Sequence, residues 1–257
     1  MSENAKKFVW YDLLTSDMKA AESFYAKVIG WDAKDSGVPD RPYTLLSAGP
    51  VMVAGVMPIP ADGPAAGKQP VWTGYVGVDD VDACAARITA AGGSICRPAE
   101  DIPHVGRFAI VSDPHGAVFA LFSTASEPPP VPEPGATPGR IGWHELYCGD
   151  LDSDFAFYSD LFGWTKADAM DMGPMGIYQL FAMGGVPAGG MMNRPPQIPA
   201  PFWLFYFNVE AVDAAVERVK EGGGQIISGP MQVPGGSWIA QAVDPQGAMF
   251  AFVAPQR

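Results

Sequence analysis

WYDL at 10–13 and WHEL at 143–146 each place a carboxylate two residues after a tryptophan. On a β-strand residues i and i+2 share a face, so Asp12 accompanies Trp10 and Glu145 accompanies Trp143. A carboxylate among aromatic rings can orient a ligand's hydrogen-bond donor, or act as a general base where apolar surroundings raise its pKa. The other reading is structural, with each carboxylate accepting from an arginine or from backbone at a domain seam. An unpaired buried carboxylate costs too much to be left alone. Tyr75 and Tyr206 suit either a core or a pocket wall. Trp10 and Trp143 suit either pocket lining or seam packing.

The three histidines and Arg107 are the remaining candidates. His144 follows Trp143, so alternation turns it to the opposite face and into the core. His115 lies in an Asp-Pro-His-Gly turn and is expected in solvent, its copy being Gln246. His104 precedes GRF in a loop with no matching histidine, where it could serve as an acid or base. Arg107 could bind a ligand's carboxylate or pair with a neighbouring acid. The Met-rich stretches AMDMGPMG and GGMMN read as adaptable loop or lid.

Other chemistries lack their residues. The chain has no phosphate-cradling P-loop, no dinucleotide glycine fingerprint and no G-x-S-x-G elbow. The formal charge of −12, without a run of Lys or Arg, argues against nucleic acid and against an anionic membrane surface. No stretch approaches the length of a membrane-spanning helix. MSENAKKFVW lacks the apolar segment of a signal peptide. Cys84, Cys96 and Cys148 have no metal-type spacing; they read as small buried hydrophobes in a reducing cytoplasm.

The elements that must position these residues come in repeats. FYAKVIGW (24–31) returns as FYSDLFGW (157–164), and the same shift carries Trp10 to Trp143, Asp12 to Glu145 and Asp17 to Asp150. DPHGAVFALF (113–122) returns as DPQGAMFAFV (244–253). Between the copies, SEPPPVPEPGATPG (126–139) is kept extended by proline. The predicted domains are therefore 1–125 and 140–257, joined by a linker at 126–139.

Each half divides again into strand, helix and strands. In the first, FVWYDLL is a strand. Ser16 or Asp17 caps a helix ending at Gly30, and strands follow at 43–48 and 51–57. After a Pro/Gly-rich connector, strand 71–78 leads to a helix capped near Asp80. That helix ends at Gly92-Gly93, before strands at SICRPA, RFAIVS and AVFALFS. The second half repeats the order, with strands at 177–182 and 186–192 and a helix ending at Gly222-Gly223-Gly224.

With Asp17 before FYAKVIGW, then VGVDDVDACAARITAAGG and GRFAIVSDPHGAVFALF, all in order and all repeated, the chain resembles the vicinal oxygen chelate superfamily. That family holds glyoxalases, bleomycin-resistance proteins and extradiol dioxygenases. The likeness covers the chain outside the linker and termini. In detail it is similar to a bacterial subgroup of tandem proteins labelled hydroxylase or glyoxalase-like. It implies an α+β fold: four βαβββ modules in two tandem glyoxalase-like domains, with curled mixed sheets forming two bowls and helices on the outside.

The resemblance also implies where a metal would be. Catalytic members hold one divalent ion on the first strands of paired modules and on a glutamate after the Asp-Pro-x-Gly turn. Here the glutamate positions are Ala120 and Ala251, and the first-strand positions are Trp10, Thr73, Trp143 and Leu204. None makes a standard ligand set. By alternation Val118, Ala120 and Phe122 form one wall, and Met249, Ala251 and Val253 its copy.

The sequence thus predicts a metal-independent protein, without cofactor, that sequesters or senses a small apolar or aromatic metabolite. The alternative is a lyase, isomerase or oxygenase acting on a small oxygenated metabolite. It would use Asp12, Glu145, Tyr75 and Tyr206, or a divalent metal held by those carboxylates at a non-standard site. A monomer is geometrically sufficient, and a homodimer is compatible.

Overall fold

The computed structural model describes residues 6–38, 41–60, 69–125 and 137–257. Most of the predicted linker, residues 126–136, lies outside the described residues, as does 61–68 of the first connector.

In chain order the first half runs β1 (Phe8–Thr15), α1 (Met18–Ile29), β2 (Asp32–Asp35), β3 (Thr44–Ala48) and β4 (Val51–Pro58). It continues with β5 (Val71–Gly77), α2 (Val81–Ala90), β6 (Ser94–Ile102), β7 (Gly106–Ser112) and β8 (Val118–Thr124). The second half gives β9 (Ile141–Cys148), α3 (Leu151–Phe162), β10 (Thr165–Asp171), β11 (Ile177–Met183) and β12 (Val186–Asn193). It ends with β13 (Phe202–Asn208), α4 (Val212–Glu221), β14 (Gln225–Gln232), β15 (Trp238–Val243) and β16 (Met249–Ala254). Strands β2 and β10 add to the sequence reading.

These form two eight-stranded mixed sheets, not closed barrels, in the orders β2-β3-β4-β1-β5-β8-β7-β6 and β10-β11-β12-β9-β13-β16-β15-β14. The order is the same in both, and each half supplies one sheet. Packing density groups the chain differently. Of the described residues, those in 1–10, 74–133 and 144–203 form one compact unit, and those in 11–73, 134–143 and 204–257 form a second. Each unit therefore combines one module of the first half with one of the second.

The repeated motifs explain themselves locally. Asp17, Asp80 and Asp150 each accept a hydrogen bond from the amide three residues on, capping α1, α2 and α3. Gly30 and Gly163 end α1 and α3 in the left-handed region, at φ 87° and 69°. That reversal returns the next residue, Trp31 or Trp164, onto the helix tyrosine. In the first unit the Trp164 ring stacks on Tyr158 at 5.3 Å and on Phe181 at 4.8 Å. In the second, Tyr25 lies edge-on to Trp72 at 5.2 Å and near Phe250 at 5.4 Å. These rings are all buried. Among the described residues no helix is long and apolar enough to cross a membrane.

Candidate functional site

Asp12 and Glu145 are both buried, and each accepts a hydrogen bond from a tyrosine the sequence reading did not single out. In the second unit the Tyr43 hydroxyl donates to Asp12 Oδ1 at 2.8 Å. In the first, the Tyr178 hydroxyl donates to Glu145 Oε2 at 3.0 Å. The neighbouring strand makes the room: β4 sets Gly55 beside Asp12, and β12 sets Gly190 beside Glu145. A Cβ at Gly55 would overlap the Tyr43 phenol and Asp12 Oδ1, and one at Gly190 would overlap the Tyr178 ring. A carboxylate accepts, and a phenol oxygen accepts as well as donates, so groups of these types can recognise a hydroxyl or N–H group.

Gly55→Ala is expected to displace the phenol and to cost about 1–3 kcal/mol, as overpacking does. In a Tyr43→Ala background most of that cost should vanish, as measured by urea unfolding of the four proteins in the cycle. Equal costs in both backgrounds would refute the contact.

The positions at which the family carries metal ligands are filled differently. Ala120 on β8 is fully buried and pairs with Tyr75 on β5 and Ile110 on β7. Tyr75, Phe108 and Ala120 form an apolar cluster, against which Val9, Trp10, Ile102, Ile110 and Phe122 pack. In the second unit Ala251 is also fully buried, beside Tyr206 and Gln241. There the Gln241 amide donates to the Tyr206 hydroxyl at 3.0 Å. So each of the two equivalent alanines lies beside a tyrosine, Tyr75 in one unit and Tyr206 in the other. Thr73 and Leu204 are buried, while Trp143 and Met249 are partly buried. Among the described residues no group of three or more His, Cys, Asp or Glu could hold a metal ion. The residues at the family's ligand positions do not fit a divalent ion.

Several expectations need correction. Val118, placed on the wall with Ala120 and Phe122, is 42% exposed at the start of β8 and outside the Tyr75 cluster. Arg107 takes the second of its two expected roles, pairing with neighbouring acids: it forms two bonds to Asp82, at 2.7 and 2.9 Å, and one to Asp101 at 3.0 Å. Cys96 is exposed on β6, whereas Cys84 and Cys148 are buried. His115 is exposed in its turn as expected, and its Nδ1 also lies 2.6 Å from the buried Asp154 carboxylate. His144 is in the core as expected, and burial pushes its pKa down to about 4. His104 is exposed beside the β6–β7 turn, at φ 64°.

Sequence reasoning missed Tyr43, Tyr178, Gly55, Gly190 and Gln241. A signal existed for the tyrosines: YTLLSA and YQLFAM begin at matching places of the two copies. Nothing local tied them to a carboxylate on a strand two positions away in the sheet.

Comparison with known proteins agrees with this fold. The Glyoxalase/Bleomycin resistance protein/Dioxygenase superfamily matches residues 7–121 and again 140–252. "Putative glyoxylase CFP32" of Mycobacterium tuberculosis is 34% identical over 253 residues, covering 96% of this chain and 94% of the relative. "Anthracycline biosynthesis protein DnrV" of Streptomyces peucetius is 31% identical over 257 residues, covering 95% and 91%. Among solved structures, the Mn(II)-bound glyoxalase from Novosphingobium aromaticivorans superimposes with a TM-score of 0.67 at 18% identity, over 98% of this chain and 83% of its own. The 2,3-dioxygenase LapB from Pseudomonas sp. KL28 gives 0.64 at 14% identity, over 95% and 90%. At such identities these structures share the fold alone. With both halves matched by the family and full-length relatives above 30% identity, this chain belongs to the glyoxalase/bleomycin resistance protein/dioxygenase superfamily.

Proposed function

We propose that this protein binds a small, partly aromatic molecule without a metal, and sequesters or senses it. One observation carries the reading: fully buried alanines, Ala120 and Ala251, stand at both positions where catalytic relatives carry a metal-binding glutamate. The aromatic groups nearby, Trp10 and Tyr75 in one unit and Tyr206 in the other, suit a ring system. The carboxylate–tyrosine pairs would read hydroxyl groups on its rim. The Streptomyces relative named for anthracycline biosynthesis supports a fused-ring, hydroxylated aromatic as the class. Three free cysteines are compatible with work in a reducing compartment.

The same buried pairs, Asp12 with Tyr43 and Glu145 with Tyr178, favour a second reading. They could move a proton on such a molecule, as in a lyase, isomerase or oxygenase.

Protein purified without chelators should carry no stoichiometric Zn, Ni, Mn or Fe by elemental analysis. A hydroxylated anthraquinone should raise its melting temperature equally before and after EDTA treatment. Trp10→Ala and Trp143→Ala should each reduce that shift. Stoichiometric metal that disappears in Asp12→Ala or Glu145→Ala would overturn metal independence. An unaltered thermal shift in both tryptophan variants would overturn the placement.

A further inference from the structure

The two units differ at one corner. In the second, the ring of Phe24 on α1 lies flush against the end of α4. A Cβ at Gly222 would stand 2.9 Å from that ring, and one at Gly224 3.0 Å from it. Arg218 closes the same corner by donating twice to the Val28 carbonyl, at 3.1 and 2.9 Å. In the first unit Phe157 takes the place of Phe24, but Ala91 takes the place of Gly222. Phe157 is itself buried, and it lines an open groove of about 680 Å³ together with Arg87, Ala91, Pro114, His115 and Leu161.

Three further differences meet at that groove. His115, Asp154 and Gly149 stand where the other copy has Gln246, Ala21 and Ser16. The Asp154 side chain is fully buried, with Oδ1 2.6 Å from His115 Nδ1 and Oδ2 accepting from the Gly149 amide at 3.0 Å. A Cβ at Gly149 would overlap His115. The glycine thus gives the imidazole its place, and the buried aspartate gives it a charge partner. Asp154 first, then Asp113 and Asp150, hold the imidazole proton above its ordinary range. With Nδ1 engaged, Nε2–H is the donor left for a ligand. Across the groove, Arg87 on α2 donates through Nη2 to the Asp160 carbonyl at 2.8 Å, which fixes its guanidinium over the last turns of α3. Asp160 also lines the groove and sets a limit on how much negative charge a ligand can bring.

We propose that this groove is a ligand site separate from the one on the strands. It takes a small organic carboxylate with an apolar body, whose ring or branched chain lies on Phe157, Leu161 and Ala91 while Arg87 and His115 bind the carboxylate. One apolar floor with two cationic donors at its edge matches that chemistry.

Benzoate is the probe and benzamide its neutral control. In an NMR titration, benzoate should move the His115 ring signals and raise the pH at which they titrate, because a bound anion and a bound proton favour each other. Benzamide should do neither. Arg87→Gln and His115→Gln should each weaken benzoate binding about tenfold, the loss expected for one charge-assisted hydrogen bond. Glutamine is already the residue at the equivalent turn, so the fold should tolerate it. Binding should weaken as pH rises through the His115 titration, with Asp113, Asp150, Asp154, Asp160 and Arg87 as the charged groups around it. That pH dependence should be absent in His115→Gln. Unmoved His115 signals up to the solubility limit of benzoate would overturn the proposal. So would equal binding of benzamide, or unchanged affinity in both variants.

Discussion

Asp244→Ala is expected to cost about 3–5 kcal/mol. Asp244 Oδ1 accepts from the Gln246 and Ala248 amides at 2.9 and 2.8 Å, which closes the Asp-Pro-Gln-Gly turn. Its Oδ2 accepts from the Tyr25 hydroxyl at 3.1 Å, and that hydroxyl accepts in turn from Trp72 Nε1 at 2.8 Å. Truncation leaves buried donors unmade, each at a cost of about 1–3 kcal/mol, and opens a gap beneath the turn. For a chain of this size the melting temperature should fall by about 6–20 °C. Tyr25→Phe removes one link of the chain and should cost about 1–2 kcal/mol. Urea unfolding of both variants checks this. A loss below about 1 kcal/mol for Asp244→Ala would refute the role given to it.

The first unit repeats the device with Asp113, which accepts from the His115 and Ala117 amides and from the Tyr158 hydroxyl at 3.1 Å. Trp203 Nε1 donates to that hydroxyl at 3.1 Å. In each unit the tyrosine of an FY motif comes from one half of the chain, and the Asp-Pro turn that receives it comes from the other. The two most recognisable repeats are therefore one clasp, which is why compact packing joins modules of different halves while each sheet stays within one half. Burial pushes both carboxylates above their usual range, and the turn amides pull them back. The clasp is structural, and the residues it uses are unavailable for chemistry.

That clasp marks the limit of what the sequence made legible. Motifs that act within a few residues were readable: aspartate caps at 17, 80 and 150, and left-handed glycines at 30 and 163. The strands whose apolar positions alternate or run together were readable for the same reason. Strand β2, DAKD, is exposed throughout and has no apolar period, so only its pairing with β3 makes it a strand. Strand β10 is mostly exposed likewise. Asp12 and Glu145 were readable as paired carboxylates, but their partners Tyr43 and Tyr178 lie on strands brought near by the fold. The glycines that admit those phenols carry no polarity to betray them. The Asp154 partner of His115 was missed because the copy of His115 is Gln246. Comparing the copies at 149 and 154 as well shows the three residues changing together, a sign of contact that one position cannot give.

Acid should unfold this protein earlier than its carboxylates alone require, through His144. A carbonyl can only accept, so Nδ1–H donates to the Ala188 carbonyl at 2.7 Å, and the neutral ring stacks on Phe8 at 4.4 Å. Burial is the larger influence on its pKa, bringing it down to about 4 against the Ala188 bond. The unfolded chain takes up this proton near pH 6.5 and the folded chain only near 4. The stability this residue contributes is therefore complete above pH 6.5 and falls away as pH drops towards 4, by about 3 kcal/mol in all. His115, shifted the other way, loses its contribution only as pH rises above the ordinary histidine range, outside that window. Asp113 and Asp244 have raised pKa values, so they gain stability as pH falls towards the carboxylate range and partly mask the effect. The difference between wild type and His144→Phe removes that background. The variant keeps a ring against Phe8 and, by leaving the Ala188 carbonyl unpaired, should be less stable at pH 7. The stability difference between wild type and variant should nonetheless shift by about 3 kcal/mol in the variant's favour from pH 6.5 to 4. Parallel profiles for the two proteins would mean that His144 takes up its proton without leaving the core.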